Sequence, residues 1–251
     1  MKRRRIGLQL HTVRDEMGKN VEATIRKVAA IGYDEVEFAG YFGETPSRIR
    51  SILDECGLDS PAAHFSYEAF EREQDRMIDD ALAIGHRYLV LAGLPRFEVN
   101  SIEAYERWVQ RFNEYGERAR KAGLIFAYHN HDFEFTPIDR KVPLELLIGG
   151  SDPRLVAFEL DTYWVKYAGW DSGALFKKFP NRFPLLHLKD MDNSAGRRSV
   201  EVGSGTIDFK LILSDSSSGM RHSFVEQEHF STSTIESVER SYRNLRSMNL
   251  E

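Results

Sequence analysis

Cysteine is almost absent from this sequence: Cys56 is the only one in 251 residues. An internal disulfide is therefore excluded. Cys56 stands just before Gly57 in a helical pattern, which favours a packed thiol over a nucleophile. No apolar run approaches the length of a membrane span. The segment behind the basic cluster 2–5 is too short and too polar for a signal-peptide core, so we expect a cytoplasmic protein with no membrane partner.

An excess of positive charge is also missing, because the formal net charge is -5. This balance argues against a nucleic-acid partner, since such proteins are usually basic. A glycine-rich phosphate fingerprint is lacking too: "LQLHTVRDEMG" follows the first apolar run where G-x-G-x-x-G would stand in a dinucleotide-binding protein. That absence disfavours a doubly wound open sheet.

One pattern recurs along the chain: an amphipathic helix, then a glycine, then a short apolar run. It appears around Gly32, Gly57, Gly85 and Gly123, with a weaker copy around Gly219. Glycine just past a helix end adopts the left-handed conformation that closes the last turn. The runs behind these glycines are rich in Val, Ile, Leu, Phe and Tyr, which is typical of strands buried on both faces.

Strands and helices alternate throughout the sequence. We predict strands at 5–10, 34–39, 60–64, 87–92, 124–130, 155–160, 184–188 and 222–227. We predict helices at 20–31, 46–56, 70–84, 101–122, 143–149, 171–179, 207–213 and 233–247, the fourth of them opened by a capping box of Asn100 and Glu103. Eight such units in about 250 residues predict a closed (β/α)8 TIM barrel, with residues 1–251 as a single domain.

Polar residues stand at the carboxyl end of nearly every predicted strand, where the chemistry of such a barrel is located. They are Gln9, His11, Glu37, His64, His129, His131, Glu134, Glu159, Asp161, Trp164, His187, Lys189, Glu226, Glu228 and His229. Several carboxylates converging in a pocket would repel one another, and a divalent cation neutralises them. Carboxylates with imidazole suit Mn²⁺, Mg²⁺, Co²⁺ or Zn²⁺. Taken singly, His64 is compatible with a hydrogen-bonded core residue, and Lys189 with a solvated rim pair.

The densest polar stretch is "AYHNHDFEF" at 127–135. His129 and His131 are two residues apart, so on a strand they share one face. That placement is compatible with direct metal ligation and also with hydrogen bonding to other ligands. The long polar segment 190–206 is predicted to be a loop after strand seven, in which Arg197 and Arg198 either meet a substrate phosphate or are simply solvated.

Seven stretches together resemble the sugar phosphate isomerase/epimerase group of xylose-isomerase-like TIM barrels, from about residue 5 to 247. They are "IGLQLHTVRDEM", "KVAAIGYDEVEFAGYFG", "YHNHDFEF", "ELDTYWV", "LLHLKDM", "EVGSGTIDF" and "FVEQE". The resemblance implies a divalent metal held by Glu134, Asp161, His187 and Glu226. His129 or His131 could take the place of Glu134. Glu228 competes with Glu226.

The resemblance also implies an isomerase or epimerase of a sugar, keto-sugar or sugar phosphate that acts by proton transfer through an enediolate. The candidates for base and acid are Glu134 and Glu226, assisted by His131 and Lys189. Substrate contacts are assigned to three further residues, His64, His129 and Trp164, the last by stacking on a sugar face.

Three other functions remain open. A lyase, either an inosose-type dehydratase or a 3-keto-glycoside lyase, would use the same scaffold and metal. An endonuclease IV-like repair enzyme would need more metal ligands and a basic groove, which the acidic balance disfavours. A sugar-binding barrel without catalysis is the third, and a homo-oligomer is compatible with any of them.

Overall fold

The chain forms a closed barrel of eight parallel strands, described for residues 4–248 of a computed structural model. The barrel strands are β1 (Gly7–Gln9), β2 (Glu35–Ala39), β3 (Asp59–Phe65), β4 (Tyr88–Leu91), β5 (Ile125–His129), β6 (Val156–Asp161), β7 (Leu185–Leu188) and β10 (His222–Val225). Strand β1 pairs with both β2 and β10, which closes the barrel. The predicted TIM barrel is confirmed, although Lys2 and Arg3 of the basic cluster lie outside the described residues.

Helices surround the barrel. They are α1 (Arg14–Lys19), α2 (Val21–Ile31), α3 (Pro46–Cys56), α4 (Tyr67–Arg72), α5 (Gln74–Ile84), α6 (Ile102–Lys121), α7 (Pro143–Gly150), α8 (Thr162–Tyr167), α9 (Ser172–Lys178), α10 (Phe209–Ser214) and α11 (Thr234–Ser247). The predicted helix 70–84 is two helices, and α1 and α8 were not predicted. No helix within residues 4–248 has the length and apolarity needed to cross a bilayer.

Helix α6 begins one residue later than its predicted capping box. The N-cap is Ser101, whose hydroxyl accepts a hydrogen bond from the backbone N–H of Ala104. The capping box of Asn100 and Glu103 is therefore wrong, because a serine with extended backbone stands one residue closer to the helix.

The apolar core has two parts. The larger part lies between the strands and the helices, and the smaller fills the barrel beneath its carboxyl end with side chains such as Tyr88, Leu185 and Phe224. Gly7 makes room for this filling, because a Cβ on Gly7 would overlap the ring of Phe224. The barrel interior is thus packed solid below the polar residues and supports them from underneath.

The segment after β7 is more ordered than a polar loop. It contains a small antiparallel hairpin of β8 (Asp190–Met191) and β9 (Ser199–Val200). The carboxylate of Asp190 accepts backbone hydrogen bonds from residues further along the segment, including Gly203 and Gly205. The hairpin and these bonds hold the segment against the end of the barrel.

Candidate metal centre and active-site cavity

A cavity of about 470 Å³ opens where the carboxyl ends of all eight barrel strands meet. It is lined by His11, Ala39, Gly40, His64, Phe65, Ser66, Ala92, His129, His131, Trp164, Lys189, Glu226 and Glu228. Eight of the polar strand-end residues predicted from the sequence are among them, namely His11, His64, His129, His131, Trp164, Lys189, Glu226 and Glu228. Since a TIM barrel carries its active site at this end, the cavity is the candidate site.

Four buried side chains at the floor of the cavity form a group that could hold a metal ion: His129, Asp161, His187 and Glu226. One ligating atom from each of them lies within 4.8 Å of the others. They come from four neighbouring strand ends, β5, β6, β7 and β10. Two carboxylates and two imidazoles form a donor set that suits divalent transition metals.

Asp161 has one carboxylate oxygen free for an ion. Its Oδ1 accepts hydrogen bonds from the backbone N–H groups of Tyr163 and Trp164, at the start of α8. Its Oδ2 is buried and has no hydrogen-bond partner within residues 4–248. Burial raises the pKa of this carboxyl above its usual range. Lys189 Nζ is 3.9 Å from this oxygen, too far to hydrogen-bond to it. A buried carboxylate oxygen without a direct partner is costly, so the group fits a divalent metal.

His187 lies between two carboxylates. Its Nδ1 is 3.0 Å from Glu226 Oε2 and its Nε2 is 2.6 Å from Glu37 Oε2. Burial lowers the pKa of His187, but Glu159, Glu226 and Glu37 outweigh that effect and hold it well above the ordinary value. A proton on Nε2 donated to Glu37 would leave Nδ1 free to ligate, which is how carboxylates orient metal-binding histidines.

The buried carboxylate of Glu159 contacts the two histidines His64 and His129. Its Oε2 lies 2.6 Å from His64 Nε2 and 3.2 Å from His129 Nδ1. Burial raises the pKa of Glu159, and the nearby Glu37 adds to the effect. Because Nδ1 of His129 faces Glu159, the opposite ring nitrogen faces Asp161, 3.9 Å from its Oδ2.

Glu134 is not brought together with the other three predicted ligands. Its carboxylate accepts hydrogen bonds from the hydroxyl of Tyr128 and, at 3.0 Å, from the backbone N–H of His131. It is fully buried, and it lies outside the cavity lining and outside the four-residue group that could hold a metal. Burial raises its pKa to about 7. Of the three candidates at or just after the end of strand β5, His129 is the one that belongs to the group with Asp161, His187 and Glu226.

A model of the xylose isomerase-like TIM barrel family matches residues 25–215. The chain belongs to this family. It is 26% identical over 238 residues to an inosose dehydratase of Lacticaseibacillus casei, with 78% of each protein covered.

Two solved structures of similar fold bear on the site. A sugar phosphate isomerase/epimerase of Parabacteroides distasonis has a TM-score of 0.87 at 24% identity and covers 100% of this chain and 96% of its own. The IolI protein, solved with a zinc atom, has a TM-score of 0.77 at 14% identity and covers 98% of each chain. At these identities both likenesses concern the fold.

In this xylose isomerase-like barrel, Lys189 is a buried cation beside the candidate ligands. Its Nζ lies 3.1 Å from Glu228 Oε1 and 3.6 Å from Glu226 Oε2, over the rings of Tyr163 and Trp164. Burial lowers the pKa of Lys189, but the carboxylates outweigh it and the net pKa is raised. Lys189 thus keeps its charge in the cavity wall.

The two carboxylates after β10 have different partners. Burial would raise the pKa of Glu226, but Lys189 and His187 hold it well below the usual range. Glu226 belongs to the four-residue group, whereas Glu228 is half exposed and pairs with Lys189. Of the two glutamates left open by the sequence, Glu226 is the one near the other candidate ligands.

His131 and Trp164 form one side of the cavity, with ring centroids 5.7 Å apart. Burial and the charge of Lys189 lower the pKa of His131 to about 4. A neutral imidazole beside an indole gives this wall an apolar face and a hydrogen-bonding edge, which suits a sugar ring.

Two residues of the site received no role from the sequence, Glu37 and Glu159. Both are buried on strands, and each is bonded to a histidine of the site, Glu37 to His187 and Glu159 to His64. The signal for Glu159 was present, because it stands two residues before Asp161 and therefore on the same face of β6. Tyr128, which binds Glu134, had no comparable signal.

Proposed function

We propose that the protein is a divalent-metal-dependent lyase that eliminates water or an alcohol from a keto-sugar or keto-polyol, in the manner of an inosose-type dehydratase. The inosose dehydratase name of its relatives supports a lyase. His129, Asp161, His187 and Glu226 would hold the metal. When bound, the dication polarises the substrate carbonyl and acidifies the neighbouring C–H.

The observation that carries the proposal is the placement of carboxylates. Of the two in the four-residue group, Glu226 lines the cavity and Asp161 does not. Glu134 is hydrogen-bonded to Tyr128 and does not line the cavity, and Glu228 is paired more closely with Lys189, at 3.1 Å, than Glu226 is, at 3.6 Å. Epimerisation needs a base on each face of the substrate, whereas elimination needs one base that reaches the carbon beside the carbonyl.

In the proposed reaction Glu226 takes the proton from the carbon beside the carbonyl. The C–O bond on the next carbon breaks, and the leaving oxygen departs as water or alcohol with a proton from Glu226. Lys189, which stays charged, donates a hydrogen bond to the leaving oxygen. His64 and His131 bind hydroxyls, and Trp164 stacks on the ring.

Isomerisation of a sugar is the second candidate, because returning the proton to the neighbouring carbon also needs only one base. The isomerase/epimerase of Parabacteroides distasonis, with its TM-score of 0.87, is the observation in its favour.

Turnover of inososes, 3-keto-glycosides and ketoses by the Mn²⁺-loaded protein in D₂O, followed by NMR and mass spectrometry, tests both. A lyase yields a product lighter by one water or alcohol. An isomerase yields a product of unchanged skeleton that carries solvent deuterium. Binding without turnover would indicate a sugar-binding barrel. If the protein neither binds nor converts any of these compounds, both enzyme functions are refuted.

A further inference from the structure

TIM barrels often bind substrate phosphate with backbone N–H groups in the loops after strands seven and eight. The segment Gly203–Ser204–Gly205, after the seventh barrel strand, has the glycine-rich composition of such a loop. Its N–H groups are already used. Asp190 Oδ2 accepts from Gly203 at 2.9 Å and from Gly205 at 2.8 Å.

The other oxygen of Asp190 is also saturated. Its Oδ1 accepts from the N–H of Met191 at 2.8 Å and of Ile207 at 3.1 Å. A Cβ on Gly205 would overlap Asp190 Oδ1, so the backbone is closely fitted to the carboxylate. Four N–H groups thus surround an anion that the chain itself supplies.

The N–H groups of residues 227–229, just after the eighth barrel strand, are occupied as well. Gln227 donates to Thr12 Oγ1 at 3.2 Å. Glu228 and His229 donate to Ser199 Oγ at 3.0 and 3.1 Å. Neither loop therefore has these donors left for a phosphate.

Cationic side chains do not replace the missing donors. Lys189 is the one lysine or arginine among the cavity-lining residues, and it pairs with Glu226 and Glu228. Neither of the two sequence candidates for phosphate, Arg197 and Arg198, lines the cavity, and Arg197 donates to the carbonyl of Tyr167. A phosphate dianion here would face the carboxylates of Glu226 and Glu228 without the loop N–H groups that bind phosphate in other TIM barrels, which is strongly unfavourable.

We propose that the cavity takes an uncharged keto-sugar or keto-polyol and rejects the phosphate ester of the same compound, with Asp190 occupying the place of a phosphate. This inference rests on the proposed function and narrows its substrate class. Asp190 acts as a specificity-determining residue through the loop and does not touch the substrate.

The first test compares the free compound with its phosphate ester in the Mn²⁺-loaded wild-type protein. The probes are the keto compound that is turned over, with D-fructose and D-fructose 6-phosphate as a binding pair. We expect kcat/KM or affinity to fall by on the order of a hundredfold or more for the ester. An ester used as well as the free compound overturns the inference and leaves the proposed function standing. If neither member of any pair binds or reacts, both fail.

The second test removes the Asp190 carboxylate, so that the four N–H groups around it lose their acceptor. In metal-free Asp190→Gly, inorganic phosphate is expected to raise Tm by about 3 °C at a concentration tenfold above its Kd, and to leave the wild-type Tm unchanged. Potassium chloride at equal ionic strength is the control. Stabilisation of the wild type by phosphate to the same extent overturns the inference. If the variant does not fold, the wild-type measurements still decide whether the inference stands: the comparison of free compound with ester, and the effect of phosphate on the wild-type Tm.

Discussion

Strand β2 carries two buried glutamates, and each bonds to a histidine at a different end of the barrel. At the amino end, Glu35 Oε2 lies 2.9 Å from His222 Nδ1. At the carboxyl end, Glu37 Oε2 lies 2.6 Å from His187 Nε2. The two pairs have the same chemistry and stand two residues apart on one face of one strand.

The pairs differ in whether the second carboxylate oxygen of the glutamate has a partner. Glu35 Oε1 binds Arg5 Nε at 3.0 Å, so both oxygens of Glu35 have partners. Glu37 Oε1 has none within residues 4–248, and the same is true of Asp161 Oδ2 nearby. A closed ion pair contributes to stability, whereas buried oxygens left without donors are tolerated where a ligand or ion completes them. We therefore expect a structural role for the pair at the amino end, Glu35–His222 (the lower pair), and a functional role for the pair at the carboxyl end, Glu37–His187 (the upper pair).

The largest effect is expected from Asp161→Asn at the upper end. The asparagine Oδ1 can still accept from Tyr163 and Trp164, but the charge that faces the candidate metal group is lost. We expect kcat/KM to fall by about 10³-fold or more, together with loss of bound metal. Activity assays and metal analysis of the purified variant measure both.

The control for this variant is the Tm of the metal-free protein. It should stay equal to or slightly above the wild-type value, because burial disfavours the charge of Asp161 more than Lys189 Nζ, 3.9 Å from its Oδ2, stabilises it. Full activity with normal metal content in Asp161→Asn would remove Asp161 from the candidate metal group.

The barrel itself was predictable because its signals are local. Each glycine that ends a helix and each apolar run behind it can be identified without knowing where the rest of the chain lies. Asp161, His187 and Glu226 stand at or just beyond strand ends, so the fold alone brought them to the same rim.

Glu134 shows where local reasoning stops. It lies five residues beyond the end of β5, in a short 3-10 turn that returns its carboxylate to Tyr128. Strand periodicity no longer fixes side-chain direction there. Asp190 is a similar case, since its partners are backbone N–H groups of residues 203–207 that meet it only after the segment folds.

A pH-dependent loss of stability is the second largest effect, and it concerns the lower half of the barrel. His86 is buried before β4, with Nδ1 2.7 Å from the carbonyl oxygen of Ser60. Burial lowers its pKa from the ordinary 6.5 to about 4. Between these values the unfolded chain takes up a proton that the folded chain does not, so stability falls as pH drops from 6.5 to 4 by about 3 kcal/mol.

Urea unfolding of the wild type and of His86→Gln from pH 7 to pH 4 isolates this contribution. The other acid-sensitive groups are common to both proteins, so between pH 7 and pH 4 the unfolding free energy of the wild type should fall by about 3 kcal/mol more than that of His86→Gln. Curves that stay parallel would show that His86 is not held neutral by the fold.

The next effect is expected from Glu37→Gln in the upper pair. The glutamine is a weaker acceptor for the His187 N–H, so the imidazole is less well oriented and less basic. We expect metal affinity to fall tenfold to a hundredfold, about 1.4–2.7 kcal/mol, with activity largely recovered at saturating metal. Calorimetric titration with Mn²⁺ measures the affinity, and an unchanged Kd would contradict the orienting role.

Glu35→Gln in the lower pair is the matched variant, and it should give the smallest effect. The substitution weakens the bonds to His222 and Arg5, but Arg5 is half exposed and water replaces part of what is lost. We expect the free energy of unfolding to fall by about 1 kcal/mol, with Mn²⁺ affinity and kcat/KM within twofold of the wild type. If Glu35→Gln impaired metal binding as much as Glu37→Gln does, the two ends of β2 would not be separate in function, and the upper pair would owe its effect to barrel stability.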